Sequence, residues 1–230
     1  MLLFIDTANI DEIRDAAGWG ILDGVTTNPS HIAKTGRVFE EVLADIFGIV
    51  DGPISVETVS TDADGIISEG RAIAALHPNA IVKVPVMIEG LKAVKQLSSE
   101  GIRTNVTLCF SPQQAFLAAK AGATYISPFV HRKDLAGDDG MQLVRQIRAI
   151  YDRYAFRTNI LAASIRTSKE VLDCLLAGAD VATMPYEVLK SLYSHMMTDA
   201  GLKLFLDDWQ KVPPPQLFAE AHAVHVGARR

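Results

Sequence analysis

Eight short apolar runs recur along this chain at near-regular spacing, at 2–6, 24–27, 54–58, 81–86, 103–109, 125–130, 159–163 and 181–184. Each has the length of a strand. Most are too continuously apolar for a sheet with one wet face, so they predict strands buried on both sides. Between them lie stretches with helical periodicity, clearest at 90–99, 112–121, 141–154 and 168–177. Gly101, Gly122 and Gly178 stand where helices end. Asn9-x-x-Glu12 and Thr167-x-x-Glu170 predict helix starts of the capping-box kind. Eight strand-then-helix units in this length predict an α/β fold, a single (β/α)8 TIM barrel. An open doubly wound sheet normally carries fewer strands, and no glycine-rich phosphate fingerprint follows the first run. Residues 199–209 predict an additional C-terminal helix, and Pro213-Pro214-Pro215 ends regular structure, with a short helix and a frayed end to follow. No linker divides the chain, so 1–197 is read as barrel and 198–230 as helix and tail of the same domain.

Composition excludes several functions. With 49% hydrophobic and 21% charged residues in 230, the chain can bury one large core. Its net charge is −5 and no Lys/Arg block stands out, so no nucleic acid partner is expected. No apolar stretch approaches spanning length, so no membrane partner is expected. The start, Met1 to Asp6, reads directly as a strand without a basic n-region. The two cysteines, Cys109 and Cys174, each sit in an apolar run as small hydrophobes. Both features imply a cytoplasmic protein. The six histidines form no His-Glu-x-x-His or paired Cys/His pattern, and a shared helix face for His222 and His225 is a weak metal signal, so no metal is expected. A Gly-x-Ser-x-Gly elbow is missing, which argues against a serine hydrolase.

Lys83 is the residue that bulk composition does not explain. It interrupts Ile81-Val82-Lys83-Val84-Pro85-Val86, a run that reads as a buried strand. An amine there is costly unless it is paired or loses its proton. Desolvation lowers an amine's pKa, and a neutral amine attacks carbonyls to form imines. An edge-strand position or a carboxylate partner would account for it equally.

Barrel enzymes carry their chemistry at the C-terminal ends of the strands, and here polar residues gather at those ends. Asp6 closes the first strand, Thr26-Thr27-Asn28 the second, and Glu57 lies in the third. Asn105 and Thr107, one residue apart, point to the same side of the fifth. Ser127 lies in the sixth, which ends near Arg132, and the seventh ends at Ser164 and Arg166. Asp6 could instead cap the first helix, but Asn9 is already placed for that. Glu57 could be a satisfied buried acid, and Asn105 and Thr107 a polar layer of the interior. Arg132 and Arg166 together would form an anion clamp suited to phosphate.

These segments resemble a known family. Asp6, Gly24-Val25-Thr26-Thr27-Asn28-Pro29-Ser30, Val82-Lys83-Val84-Pro85, Asn105-x-Thr107-Leu108-x-Phe110-Ser111, Ser127-Pro128-Phe129-Val130-x-Arg132 and Ala163-Ser164-x-Arg166 are similar to motifs of the transaldolase family, and within it to the small members that include fructose-6-phosphate aldolases. The resemblance runs from Met1 to about Lys211. It implies a lysine Schiff base at Lys83 and proton handling by Asp6 at the substrate's C4 hydroxyl. Glu57 and Thr107 would hold a catalytic water. Asn28, Asn105 and Ser127 would bind hydroxyls of the dihydroxyacetone part, Arg132 and Arg166 with Ser164 nearby would hold the sugar phosphate, and Thr27 and Phe129 would also be substrate-binding. It also implies no cofactor, a homo-oligomer (pentamer or decamer) with residues 202–209 as an arm to a neighbour, and a place in the pentose phosphate pathway.

Within the family, aldolases tend to have tyrosine where this chain has Phe129, glutamine where it has Glu57 and lysine where it has Arg166. The resemblance therefore implies a transaldolase, which moves a dihydroxyacetone unit from a ketose phosphate to an aldose phosphate. The alternatives are a fructose-6-phosphate aldolase, a transaldolase for a sulfonated ketose, and a non-catalytic anion-binding barrel. Two arginines favour phosphate over the less charged sulfonate. Departures from the family pattern are His131 where glycine is usual, Met87-Ile88 where threonine and an acid are usual, and Lys133 beside Arg132.

Overall fold

The computed structural model describes residues 1–213 of the 230. Pro214, Pro215, His222, His225 and the tail at 216–230 lie outside the described residues. The chain forms two compact units, one from Met1 to Leu192 and one from Tyr193 onward. In chain order the first holds β1 (Leu2–Asp6), α1 (Ile10–Gly18), β2 (Gly24–Thr26), α2 (Pro29–Thr35), α3 (Phe39–Ile49), β3 (Ile54–Glu57), α4 (Ala63–Leu76), β4 (Ala80–Pro85), α5 (Ile88–Ser99), β5 (Thr104–Cys109), α6 (Pro112–Ala121), β6 (Tyr125–Pro128), α7 (Val130–Leu135), α8 (Gly140–Arg153), β7 (Asn159–Ala162), α9 (Ser168–Ala177), β8 (Val181–Met184) and α10 (Tyr186–Ser191). The second unit holds α11 (Met196–Trp209), capped by the His195 side chain, which accepts from Met197 N.

All eight strands pair in parallel and in chain order, and β8 closes on β1. The (β/α)8 barrel that the strand count predicts is the fold observed. Its largest apolar cluster fills the layer between barrel and helices, with Val25, Val56, Val82 and Val106 from the strands and Ile13, Ile66, Val94 and Ile147 from the helices. A second cluster fills the barrel's inside: Phe4, Ile81, Tyr125, Leu161, Ala163 and Val181. Phe4 is fully buried and meets Tyr125 edge-on, with centroids 6.4 Å apart. Burying such a ring contributes about 1.5–3 kcal/mol. Gly24 makes room for it, because a Cβ there would lie 2.7 Å from the Phe4 ring.

This inner layer places the polar one. Side chains two residues apart on a strand share a face. Phe4 is followed on that face by Asp6, Ile81 by Lys83, Tyr125 by Ser127 and Val181 by Thr183. Apolar side chains plug the lower barrel, and the next inward position on each strand opens at the C-terminal rim.

Element ends differ from expectation in small, physical ways. β6 stops at Pro128 and not at Val130, so Val130 begins α7 and Arg132 lies on that short helix. Asn9 caps α1 alone, accepting from Asp11 N, and Glu12 turns instead to accept from Thr7 Oγ1 at 2.8 Å. Thr167 and Glu170 do form a reciprocal capping box, and so do Ser111 and Gln114, a pair with the same spacing. Cys109 and Cys174 are buried and unpaired, and burial pushes each thiol up to about 12, so neither serves as a nucleophile. No helix among the described residues is long and apolar enough to cross a membrane.

Candidate active site

Lys83 is 6% exposed on β4, and its register partner across the sheet is Glu57 on β3. Lys83 Nζ lies 3.0 Å from Glu57 Oε2 and donates to the Thr27 carbonyl oxygen at 2.9 Å. Two of the amine's three donors are thus held by fixed acceptors. The amine does not rely on an apolar pocket alone, as the run around it suggests, because its burial comes with a carboxylate 3.0 Å away.

Asp6 sits across the rim at the end of β1. Its Oδ1 accepts from Thr26 Oγ1 at 2.7 Å, and Thr26 Oγ1 also lies 2.7 Å from Thr183 Oγ1. A β2–β8 threonine pair therefore fixes the carboxylate's orientation. Thr107 Oγ1 is buried and has no hydrogen-bond partner among the described residues. A polar atom so placed is one that a water or a substrate oxygen satisfies.

Just beyond Thr107 the pairing of β5 with β6 shifts register, and Leu108 takes φ +59°. Ser164, past the end of β7, takes φ +61°. Left-handed backbone at a residue with a side chain costs on the order of 1–3 kcal/mol and gathers at working sites. Bulges at a barrel rim re-aim side chains. Here both departures flank a cavity of about 80 Å³ that Lys83, Asp6, Thr107 and Ser127 line from below. Asn28, Phe129, Ser164, Arg132 and Arg166 line it above. Asp6, His31 and Arg166 also line a polar cleft of about 780 Å³.

Two expected substrate contacts are occupied elsewhere. Thr27 Oγ1 donates to the Ser55 carbonyl at 2.8 Å, and the residue borders a separate apolar cavity of about 520 Å³. Its contribution to the site is the carbonyl that receives Lys83. Asn105 is fully buried beneath the cavity, donating from Nδ2 to Ser55 Oγ at 3.1 Å and accepting from Ser127 Oγ at 2.7 Å. Asn28 caps α2 through Oδ1 and still reaches the cavity.

Neither Arg132 nor Arg166 has an acidic side-chain partner among the described residues. The Arg132 guanidinium lies 4.9 Å from the centroid of the Phe129 ring, which itself packs against Phe110. Lys133 is bound to Asp138 at 2.7 Å, so it adds no free charge. Glu170 joins the two arginine segments, a link that the capping pattern alone does not reveal. Its carboxylate accepts from Arg166 N at 2.6 Å and Thr167 N at 2.9 Å, and lies 2.9 Å from His131 Nδ1 on α7.

Burial pushes the Glu170 carboxyl up, but the bonds from Arg166 N, His131 and Thr167 N outweigh it and the net shift is down. A carboxyl held lower in the folded state stabilises above the ordinary 4.5 and loses that contribution as pH falls through the folded value. Glu170→Gln is therefore expected to cost about 1 kcal/mol near neutrality, with the gap to wild type narrowing below pH 4.5, read from thermal unfolding across pH.

Sequence reasoning placed Thr26 at a strand end but gave no role to it, to His31 or to Thr183. His31 lies in the first turn of α2 between the small cavity and the cleft, its Nδ1 3.7 Å from Asp6 Oδ1. Threonine in a strand is ordinary, and a histidine in a helix reads as surface, so no pattern marks them. Among the described residues, no group of three or more His, Cys, Asp and Glu side chains is arranged to hold a metal ion.

All eight strands bring polar side chains toward one rim of the barrel, where barrel folds carry out catalysis, and together these features define a barrel enzyme with a lysine–carboxylate pair beneath two arginines. The chain belongs to the family described as Transaldolase/Fructose-6-phosphate aldolase, which matches residues 3–223. It is similar to a probable transaldolase of Hydrogenobaculum sp. (strain Y04AAS1), 59% identical over 213 residues that cover 93% of this chain and 98% of the relative. A probable transaldolase of Aquifex aeolicus (strain VF5) is 57% identical over the same shares of each chain. One from Geotalea uraniireducens (strain Rf4) is 56% identical, over 93% of this chain and all of the relative. The chain is thus an enzyme of the transaldolase/aldolase type.

Proposed function

We propose that this enzyme is a transaldolase that moves a dihydroxyacetone unit from a ketose phosphate, fructose 6-phosphate or sedoheptulose 7-phosphate, to an aldose phosphate through a Schiff base on Lys83. The Lys83–Glu57 pair at 3.0 Å carries this reading. Glu57 takes a proton from the ammonium, and the freed amine attacks the ketose C2 carbonyl. Loss of water leaves an iminium, a cation into which the C3–C4 bonding electrons can flow. Asp6 takes the C4 hydroxyl proton as that bond breaks, and an aldose phosphate departs. The three-carbon enamine then attacks the acceptor aldehyde, Asp6 returns the proton, and water releases the product ketose. The Thr107 hydroxyl, without a partner among the described residues, would hold that water. No metal is needed, because the iminium withdraws the electrons.

Phe129, Glu57 and Arg166 favour transfer over simple cleavage. Cleavage requires a proton on the enamine carbon, and a phenyl ring offers none. Phe129→Tyr is expected to raise acceptor-free release of dihydroxyacetone from fructose 6-phosphate about tenfold, measured by coupled assay; unchanged release would remove this account of residue 129. We further infer a cytoplasmic homo-oligomer, since Leu202, Phe205 and Leu206 of α11 are exposed apolar groups of the kind a neighbouring copy covers. The pentose phosphate pathway is the corresponding setting.

Borohydride reduction in the presence of fructose 6-phosphate tests the main reading. Intact mass should rise by one reduced three-carbon unit on Lys83. An unmodified protein that turns over would refute the imine.

A further inference from the structure

His31 stands at the boundary of the deep cavity holding Lys83 and the polar cleft, and among the described residues only Asp6, His31 and Arg166 line both spaces. In the reading above, the three-carbon part lies deep against Lys83, and the rest of the sugar runs outward past this boundary. The first oxygen to cross it is the one on C4, the same oxygen that Asp6 handles.

We propose, on the footing of the Lys83 imine, that His31 is a second catalytic residue at C4, donating a hydrogen bond from its neutral ring to the oxygen of the acceptor aldehyde as the new C3–C4 bond forms.

Three observations support the assignment. The ring is held: Asn28 Nδ2 lies 3.2 Å from Nδ1 and 3.4 Å from Nε2. Whichever nitrogen of a neutral ring accepts from Asn28, the other carries the hydrogen. The ring is also close to Asp6, at 3.7 Å from Nδ1 to Oδ1, so one substrate oxygen can touch both. Finally, the site favours the neutral ring. Burial pulls the imidazole below its ordinary 6.5; Asp6 opposes this, while Lys83, Lys34 and Arg166 push the same way. These groups face the ring from β1, β4, the segment after β7 and its own helix. A neutral imidazole N–H polarises a carbonyl without holding the Asp6 carboxylate in an ion pair.

The step moves no proton permanently onto the ring. As the enamine carbon bonds to the aldehyde carbon, the aldehyde oxygen gains the electron pair of the C=O bond. The His31 N–H stabilises that oxygen, and protonated Asp6 delivers its proton to make the C4 hydroxyl. Donor cleavage runs the same path backward. Below the ring's pKa a cation faces Asp6 and strengthens its hold on ionised carboxylate, so activity falls on the acid side.

Two probes separate this role from the imine itself. Dihydroxyacetone alone condenses with Lys83 without touching C4, whereas transfer from fructose 6-phosphate to erythrose 4-phosphate requires C4 chemistry. In His31→Leu, borohydride trapping of dihydroxyacetone should match wild type, while transfer kcat falls on the order of 10- to 100-fold. His31→Gln, which keeps an N–H donor but cannot titrate, should regain part of that rate and lose the His31 ionisation from the acid limb of the kcat profile. Unchanged transfer and an unchanged acid limb in both variants would overturn the role of His31. Equal loss of trapping and transfer would overturn it too, by marking His31 as part of the pocket's framework. Failure of wild type to trap dihydroxyacetone would instead remove the imine reading.

Discussion

Lys83→Met is expected to lower transfer at least about 10⁴-fold, as removal of a covalent nucleophile does elsewhere, and to abolish the borohydride adduct. Its effect on stability distinguishes this lysine from a merely structural one. Methionine fills the lysine's volume but leaves the Glu57 carboxylate, 13% exposed, without its cation. Breaking a buried pair on one side costs about 3–5 kcal/mol, whereas replacing both partners by uncharged groups of similar shape is often neutral. The Lys83→Met/Glu57→Gln double variant should therefore recover most of the lost stability while staying inactive. Denaturant unfolding gives the first quantity, and intact mass after reduction gives the second. A double variant as unstable as the single would mean that the pair is not a coupled unit. An adduct persisting in Lys83→Met would mean that another amine carries the imine, and the assignment of Lys83 would fail.

The same pair marks how far the sequence alone reaches. The strand runs were legible because a strand covered by helices on one face and filled barrel on the other must be apolar almost throughout, so Lys83 stood out against Ile81 and Val84. That Glu57 lies beside it was not legible. The pairing depends on register, Glu57 opposite Lys83, and a parallel register is set by packing across the whole barrel. Asp6 was legible as a strand-end acid, but not the Thr26–Thr183 contact that orients it, which joins residues 157 apart in the chain.

Thr27 and Asn105 show the opposite case. Their motif is readable, yet the hydroxyl of one and the amide of the other are spent on Ser55, a residue that no motif singled out. His31 was hidden because its helix begins with Pro29 behind an Asn28 cap, a common start whose third residue normally faces outward. Here α2 turns that position over the Asp6 carboxylate.

The second large effect concerns the arginines. Each charge-assisted contact to a phosphate contributes about 1.5–3 kcal/mol, so Arg166→Ala and Arg132→Ala should each raise KM for a phosphorylated acceptor about 10- to 100-fold. Because the phosphate is remote from the bond being made, its contacts are alike in ground and transition states, and kcat should change little. Erythrose without its phosphate should react poorly with wild type and no worse with the variants, which ties the loss to the anion.

The two arginines should respond differently to lysine. The Arg132 guanidinium lies over the Phe129 ring, 4.9 Å from its centroid, and lysine cannot reproduce a planar fork there, so Arg132→Lys should recover little. Arg166 is held through its backbone by Glu170, and its side chain meets no acidic group among the described residues, so Arg166→Lys should recover more. Testing sulfonated against phosphorylated ketoses in the same series fixes the anion. A phosphate site loses more than a sulfonate site when one arginine is removed, because phosphate carries nearly two charges at neutral pH. If both variants kept wild-type KM for phosphorylated sugars, the clamp would be a surface feature, and the cleft of about 780 Å³ lined by Lys34 and Arg37 would have to hold the anion instead.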